Sequence, residues 1–312
     1  MSEPTCRQSV RRRSIAATAV VLALVLSGCR FPFGHSPAPR PEAGEASPLR
    51  PSPQPPAASP LESPDFSPLQ ASVEQLLAGK SGTYGIYVED LPTGMRFGLN
   101  PDREFVAAST IKVPLVLFLY RQAQAAQLDL EASLAIQPED YEAGTGYLQY
   151  QPVGSGYTLR QLARLALVDS DNVATRMIMR QVGRENFRAY VRSLGTFIPP
   201  DRENVTSPRD LAAFFKAFLD FKKEAPDLAG EILDALLTTD FSDRLPALLP
   251  PDVPVAHKIG NQVRVVNDAG LVFLSRHPYV ISILTDDVNE GEATETIAQI
   301  SKLVYDYQAG LR

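Results

Sequence analysis

Cysteine is nearly absent from this chain. Its 312 residues include two, Cys6 and Cys29, and with both near the start the remainder can form neither a disulfide nor a cysteine metal site. Histidine is almost as scarce, at three positions. His35 lies in a proline-rich stretch, His277 precedes Pro278 in a turn, and His257 should point to the opposite side of its strand from Lys258. A Ser-His-Asp triad therefore lacks a suitable base. The apolar run from Ile15 to Leu26 falls short of the roughly 20 residues that span a bilayer as a permanent helix. Positive charge is also in deficit, with 30 Lys and Arg against 36 Asp and Glu. A net charge of −6 argues against nucleic acid as a partner.

What stands at the start is an export signal: Arg11-Arg12-Arg13, the short apolar run, then small residues. Leu26-Ser27-Gly28-Cys29 resembles a bacterial lipobox. That resemblance implies cleavage before Cys29 and a lipid anchor on its thiol; the plainer alternative is an ordinary secretory signal. Cleavage removes four arginines and one glutamate, taking the formal charge from −6 to −9. Residues 31–68 then hold twelve of the 27 prolines. Such a segment buries too little surface to fold and reads as an extended spacer. The expected organisation is a signal over 1–28, a spacer over 29–68 and one folded domain over 69–312, exported and held at the outer face of a bacterial membrane.

Within the domain, the pattern predicts a helix over Leu69–Leu77, a hairpin of Thr83–Val88 with Met95–Gly98, then a helical block. Helices are predicted at 109–126, Leu159–Leu167, Asn172–Gln181, Glu185–Leu194, Pro208–Phe221 and Leu228–Leu237. Strands return at Val253–Ile259, Val265–Phe273 and Tyr279–Thr285, before a last helix over Glu292–Tyr307. Sequential hairpins at both ends imply an α/β fold of the α+β type. Its core is an antiparallel five-stranded sheet built from both chain ends, with flanking helices and an inserted all-helical lobe.

Three short motifs carry chemistry. Ser109-Thr110-Ile111-Lys112 places a serine and a lysine on one helix face, and a serine needs an adjacent base to attack a carbonyl. Ser170-Asp171-Asn172 and Lys258-Ile259-Gly260 follow. Each has a plainer reading alone: Ser109 and Ser170-Asp171-Asn172 as helix caps, Lys258 as a solvated strand lysine. Gly144-x-Gly146 reads as a loop, His257 as structural and Asn267-Asp268 as an ordinary turn.

Together, in this order, the three motifs resemble the serine hydrolases of the class A β-lactamase and penicillin-binding group. Flanking text agrees: Gly144–Gln149, Thr158–Leu162, Thr206–Leu211 and Asn267–Gly270. The resemblance covers residues 69–312 and implies these roles. Ser109 attacks a carbonyl and is acylated, Lys112 takes its proton, and Ser170 relays a proton to the leaving nitrogen. Lys258 supplies positive potential, and Asn172 holds the substrate amide and orients Lys112. Gly260 permits close approach, and the N–H groups of Ser109 and Asn261 cradle the oxyanion. The implied partner is a β-lactam or a D-Ala-D-Ala-like stem of peptidoglycan, with no metal or organic cofactor, and the implied state is a monomer. A D,D-carboxypeptidase and a non-catalytic wall-binding lipoprotein are the rival readings.

Two departures stand out. Between Gly195 and Thr206 the chain reads only T-F-I-P-P-D-R-E-N-V, too short for the loop glutamate that activates the deacylating water in efficient β-lactam hydrolases. Glu203 is the nearest acid there and reads as a surface residue. Ile259 stands where the family commonly has Thr or Ser. The resemblance thus implies acylation and leaves deacylation without its usual base.

Overall fold

The computed structural model describes residues 61, 63–198, 201–202 and 204–311. The export signal, Cys29, most of the spacer and Glu203 lie outside the described residues. The first helix, α1 (Ser67–Leu77), begins inside the stretch assigned to the spacer, with Pro68 in its first turn, where a missing N–H costs nothing. Phe66 and Leu69 are already buried, so the apolar anchor of the domain starts before residue 69.

Strand β1 (Thr83–Asp90) and β2 (Arg96–Leu99) form the expected hairpin. The two-residue strand β3 (Phe105–Val106) leads into a 3-10 turn, Ala108–Ile111, and then α2 (Lys112–Gln124). The predicted single helix from residue 109 is thus a tight turn followed by a helix. The helical block continues through β4 (Ser133–Ala135), β5 (Gly156–Thr158), α3 (Leu159–Leu167), α4 (Asn172–Val182) and α5 (Arg184–Ser193). Strand β6 (Val205–Thr206), α6 (Pro208–Glu224) and α7 (Pro226–Leu237) complete it. Strands β7 (Val255–Gln262), β8 (Val265–Val272) and β9 (Tyr279–Asp286) precede α8 (Glu290–Gly310). Helix α3 opens on a capping box between Thr158 and Gln161, and α6 on Ser207, whose hydroxyl accepts from the Asp210 N–H.

The main sheet has the order β2-β1-β9-β8-β7, every pair antiparallel. Strand β1 from the front of the chain pairs along its whole length with β9 from the back, Thr83 opposite Asp286. Alternation sends side chains to two cores. On β9, Val280 and Leu284 join Leu115, Phe214 and Phe218 of the helical lobe. Tyr279, Ile281 and Ile283 join Val73 of α1 and Ile297 and Val304 of α8. Both sheet faces are therefore covered, which accounts for the continuous burial along β8 and β9. Strand β7 is left as an edge, beside the 3-10 turn that carries Ser109.

Candidate active site

Three non-glycine residues in left-handed backbone conformation line the site, Asn204 (φ 55°) among them. Ala108 has φ 48° and Ser170 has φ 56°, each costing on the order of 1–3 kcal/mol unless neighbours hold it. Around Ala108 the hold is dense. The Ala107 N–H donates to Asn204 O at 2.9 Å, the Thr110 hydroxyl to Ala107 O at 2.6 Å, and the Asn267 side-chain amide to Val106 O at 2.8 Å. Gly260 supplies the remaining fit: a Cβ there would stand 2.8 Å from Ala107 O and 3.1 Å from Ala108 Cβ. Its lack of a side chain thus lets β7 lie against the Ser109 turn, rather than serving substrate approach alone.

Ser170 and its neighbours are fixed just as firmly. Asp171 caps α4 by accepting from the Ala174 N–H at 2.9 Å, and its other oxygen accepts from the Leu148 N–H at 2.9 Å. The Thr145 hydroxyl donates to Ser170 O at 2.6 Å. Gly144 and Gly146 have positive φ, and side chains there would collide with Asn172 and Asp171 respectively. The Gly144–Gly146 loop is therefore a wall of the site, packed on the second motif.

Lys112 joins the two halves. It is buried, and its amine donates to Ser170 O at 2.5 Å, to Ser170 Oγ at 3.2 Å and to Asn172 Oδ1 at 2.7 Å. Asn172 thus meets Lys112 through its side-chain oxygen. The amine makes no hydrogen bond to the Ser109 hydroxyl, although both line one cleft of about 570 Å³. Burial pushes the Lys112 amine down to about 8, with Asp171 and Glu142 opposing the shift.

Lys258 is fully buried on β7. Its described polar contact is a long one, 3.5 Å to Ile259 O, and it lies over the Phe241 ring at 5.8 Å. Burial, with the positive charges of Lys112 and Arg244 against the opposing pull of Asp268, brings it down to about 7. Ile259 and Asn261 line the cleft, whereas Lys258 lies behind that lining. His257 is structural as expected: its Nδ1 meets the Asp268 carboxylate at 2.9 Å, away from the cleft lining.

Lys258 carries a stability consequence. A lysine with a folded pKa of about 7 against 10.5 unfolded binds its proton less readily in the fold. The penalty is therefore complete below pH 7 and is relieved as pH rises from 7 toward 10.5. Lys258→Met is expected to stabilise the domain at pH 6 by on the order of 3 kcal/mol, with the gain shrinking toward pH 10. Thermal unfolding across pH measures it, and an unchanged or lowered Tm at pH 6 counts against the penalty.

Asn267-Asp268 departs from the expected turn. Both residues lie inside β8, where the Asn267 side chain ties the Val106 carbonyl to the sheet and accepts from the Thr285 N–H at 2.9 Å. Arg244, missed in the sequence, is buried and donates to Asn267 O at 2.8 Å. No motif surrounds it in the sequence, whereas Asn267 and Thr145 sit in stretches that flank the three motifs.

The motifs, their order and their convergence on one cleft fit a known group, and a model of the beta-lactamase enzyme family matches residues 68–308. The chain belongs to that family. Among the beta-lactamases, SME-1 of Serratia marcescens is 24% identical over 267 residues, spanning 74% of this chain and 86% of that protein. Among solved structures, PBP-A superposes with a TM-score of 0.72 at 31% identity, covering 79% of this chain and 98% of that one. A mutant of PBP-A, solved as its acyl-enzyme complex with penicillin G, superposes with a TM-score of 0.72 at 32% identity over the same shares. These similarities support a class A β-lactamase-like serine hydrolase and confirm the mixed fold with its five-stranded antiparallel sheet.

Proposed function

We propose that the protein is a serine acyl-transfer hydrolase whose Ser109 is acylated by β-lactams or by acyl-D-Ala-D-Ala-type amides, and whose acyl-enzyme is released slowly. The observation that carries this reading is the Lys112 amine. It is buried within the cleft that holds Ser109, fixed by Ser170 O and Asn172 Oδ1, and lowered to about 8. Ser109 Oγ forms the bond to the carbonyl carbon as its proton passes to Lys112. The C–N bond then breaks, and the leaving nitrogen takes a proton through Ser170. From behind the lining, Lys258 adds positive potential for a substrate carboxylate, and the N–H groups of Ser109 and Asn261 receive the oxyanion.

Slow release follows from the carboxylates available. Among the described residues lining the cleft, Glu142 pairs with Arg176 at 2.5 Å, and Asp210 accepts from the Phe197 and Ile198 N–H groups at 2.7 and 2.9 Å. Neither stands as a base for water beside Ser109. Incubation with a fluorescent penicillin is expected to leave an adduct on the intact mass that persists over many minutes, with little turnover of a chromogenic cephalosporin. Rapid turnover would contradict slow release and favour an efficient β-lactamase; no adduct at all would overturn acylation.

The proposal includes export and lipid attachment at Cys29, supported by the basic, apolar and small-residue sequence that precedes it. Cys29→Ala is expected to move the protein from the membrane to the soluble fraction of a bacterial host. Retention in the membrane would remove the anchor from the reading.

A further inference from the structure

Outside the catalytic cleft, a second cavity of about 380 Å³ opens between α2, α3 and α7. None of its lining residues lines the cleft that holds Ser109. Much of the lining is apolar: Val116 and the Tyr120 ring from α2, Leu167 from α3 and Ile232 from α7, all members of the lobe core. Space remains because α3 and α7 also line it with alanine, Ala163 and Ala235, whose methyl groups are too short to fill it. The volume lies near the low end of the roughly 300–1,000 Å³ of small-molecule sites. Its occupant is therefore small.

Most polar groups at this cavity are already engaged. Arg160 Nε donates to Glu131 at 2.7 Å, and Arg160 also pairs with Glu231, which accepts from the Tyr120 hydroxyl at 2.8 Å. Gln161 belongs to the capping box of α3. Two charges are left, Arg164 on α3 and Asp234 on α7, both exposed. Neither side chain makes a hydrogen bond or an ion pair among the described residues, and the two do not pair with each other. Arg164 acts on Asp169 through its charge, without such a contact. A cation and an anion thus stand on different walls of one largely apolar cavity, with room between them.

We infer that this cavity binds a free α-amino acid with a large apolar side chain. The inference does not depend on acylation at Ser109. The ligand's carboxylate suits the Arg164 guanidinium, which offers two parallel N–H donors. Its ammonium suits the Asp234 carboxylate. Its side chain enters the space beside Ala163 and Ala235, against the Tyr120 ring, where an aromatic group packs well. An apolar acid or an apolar amine would answer one of the two charges and leave the other without a partner. The zwitterion answers both.

The test is calorimetric titration with phenylalanine, in both enantiomers, against two fragments of it: hydrocinnamate, which lacks the ammonium, and phenethylamine, which lacks the carboxylate. One enantiomer of phenylalanine is expected to bind about tenfold tighter or more than either fragment. In Arg164→Gln its advantage over phenethylamine should vanish. In Asp234→Asn its advantage over hydrocinnamate should vanish. Both positions are exposed, and a melting curve checks that each variant is folded. These ratios compare ligands on the same variant, so a general loosening of the helices would leave them unmoved. No binding of phenylalanine at millimolar concentration, affinities no better than those of the fragments, or ratios that survive both variants would each overturn the site. A fragment that binds tighter than phenylalanine would do the same, because the cavity would then read one charge alone.

Discussion

Ser109→Ala is expected to abolish the penicillin adduct completely while leaving the fold unchanged. The Ser109 hydroxyl makes no hydrogen bond among the described residues. Its turn is held by other groups: the Ala107 N–H on Asn204, the Thr110 hydroxyl on Ala107 O and the Asn267 amide on Val106 O. Removing one oxygen atom from such a position should alter stability by no more than about 0.5 kcal/mol. The effect on chemistry is total, because no other atom forms the covalent bond. Intact mass after incubation, with a melting curve on the same sample, separates the two effects. An adduct of full stoichiometry on the folded variant would mean that a different nucleophile is acylated.

Lys112→Met should lower the acylation rate by about 10²–10⁴, the range expected for loss of a positioned base. Attack needs a neutral amine, whose lone pair can take the Ser109 proton. Two carbonyl oxygens, Ser170 O at 2.5 Å and Asn172 Oδ1 at 2.7 Å, take two N–H groups. With Ser170 Oγ at 3.2 Å as the third acceptor, the set matches the three N–H groups of a charged amine, and the weakest of the three contacts is the one given up when the amine loses its proton. At neutral pH most of the amine is charged, since burial brings it to about 8 and no further. At saturating penicillin, where the bound carboxylate keeps Lys258 charged, the acylation rate should therefore climb from pH 7 to pH 9 and then level off. The climb should vanish in Lys112→Met. A wild-type profile flat across that range would assign the base elsewhere.

How much of this was legible beforehand differs by element. Long helices and the hairpins at both chain ends announce themselves through periodicity, and from them the five-stranded sheet follows. The contact of Asn172 with Lys112 was also foreseeable, because the motifs imply it. The two-residue pairing of β3 with β6 was not, since so short a strand has no period to read. The same holds for the role of Gly144 and Gly146. Their sequence shows only a loop, and the need for missing side chains appears once Asp171 and Asn172 are seen against them. Asn267-Asp268 looks like a turn because those residue types favour turns. Here the pairing of β8 with both β7 and β9 overrides that preference. Arg244 is distant in sequence from every motif and reaches the site through the Asn267 carbonyl and through its charge on Lys258.

The register of β1 against β9, Thr83 beside Asp286, has a consequence for how the molecule comes into being. The central pairing of the sheet joins residues made near the start of synthesis to residues made near its end. Loop closure across almost the whole domain must precede it, which makes folding slow for a chain of this size. Until β9 emerges, β1 has a partner on one edge alone, and neither core can be sealed. A chain with this wiring cannot complete its central sheet until β9 has been made. The Ser109 turn, wedged between β7 and the helical lobe, takes its shape only after the last strand is in place.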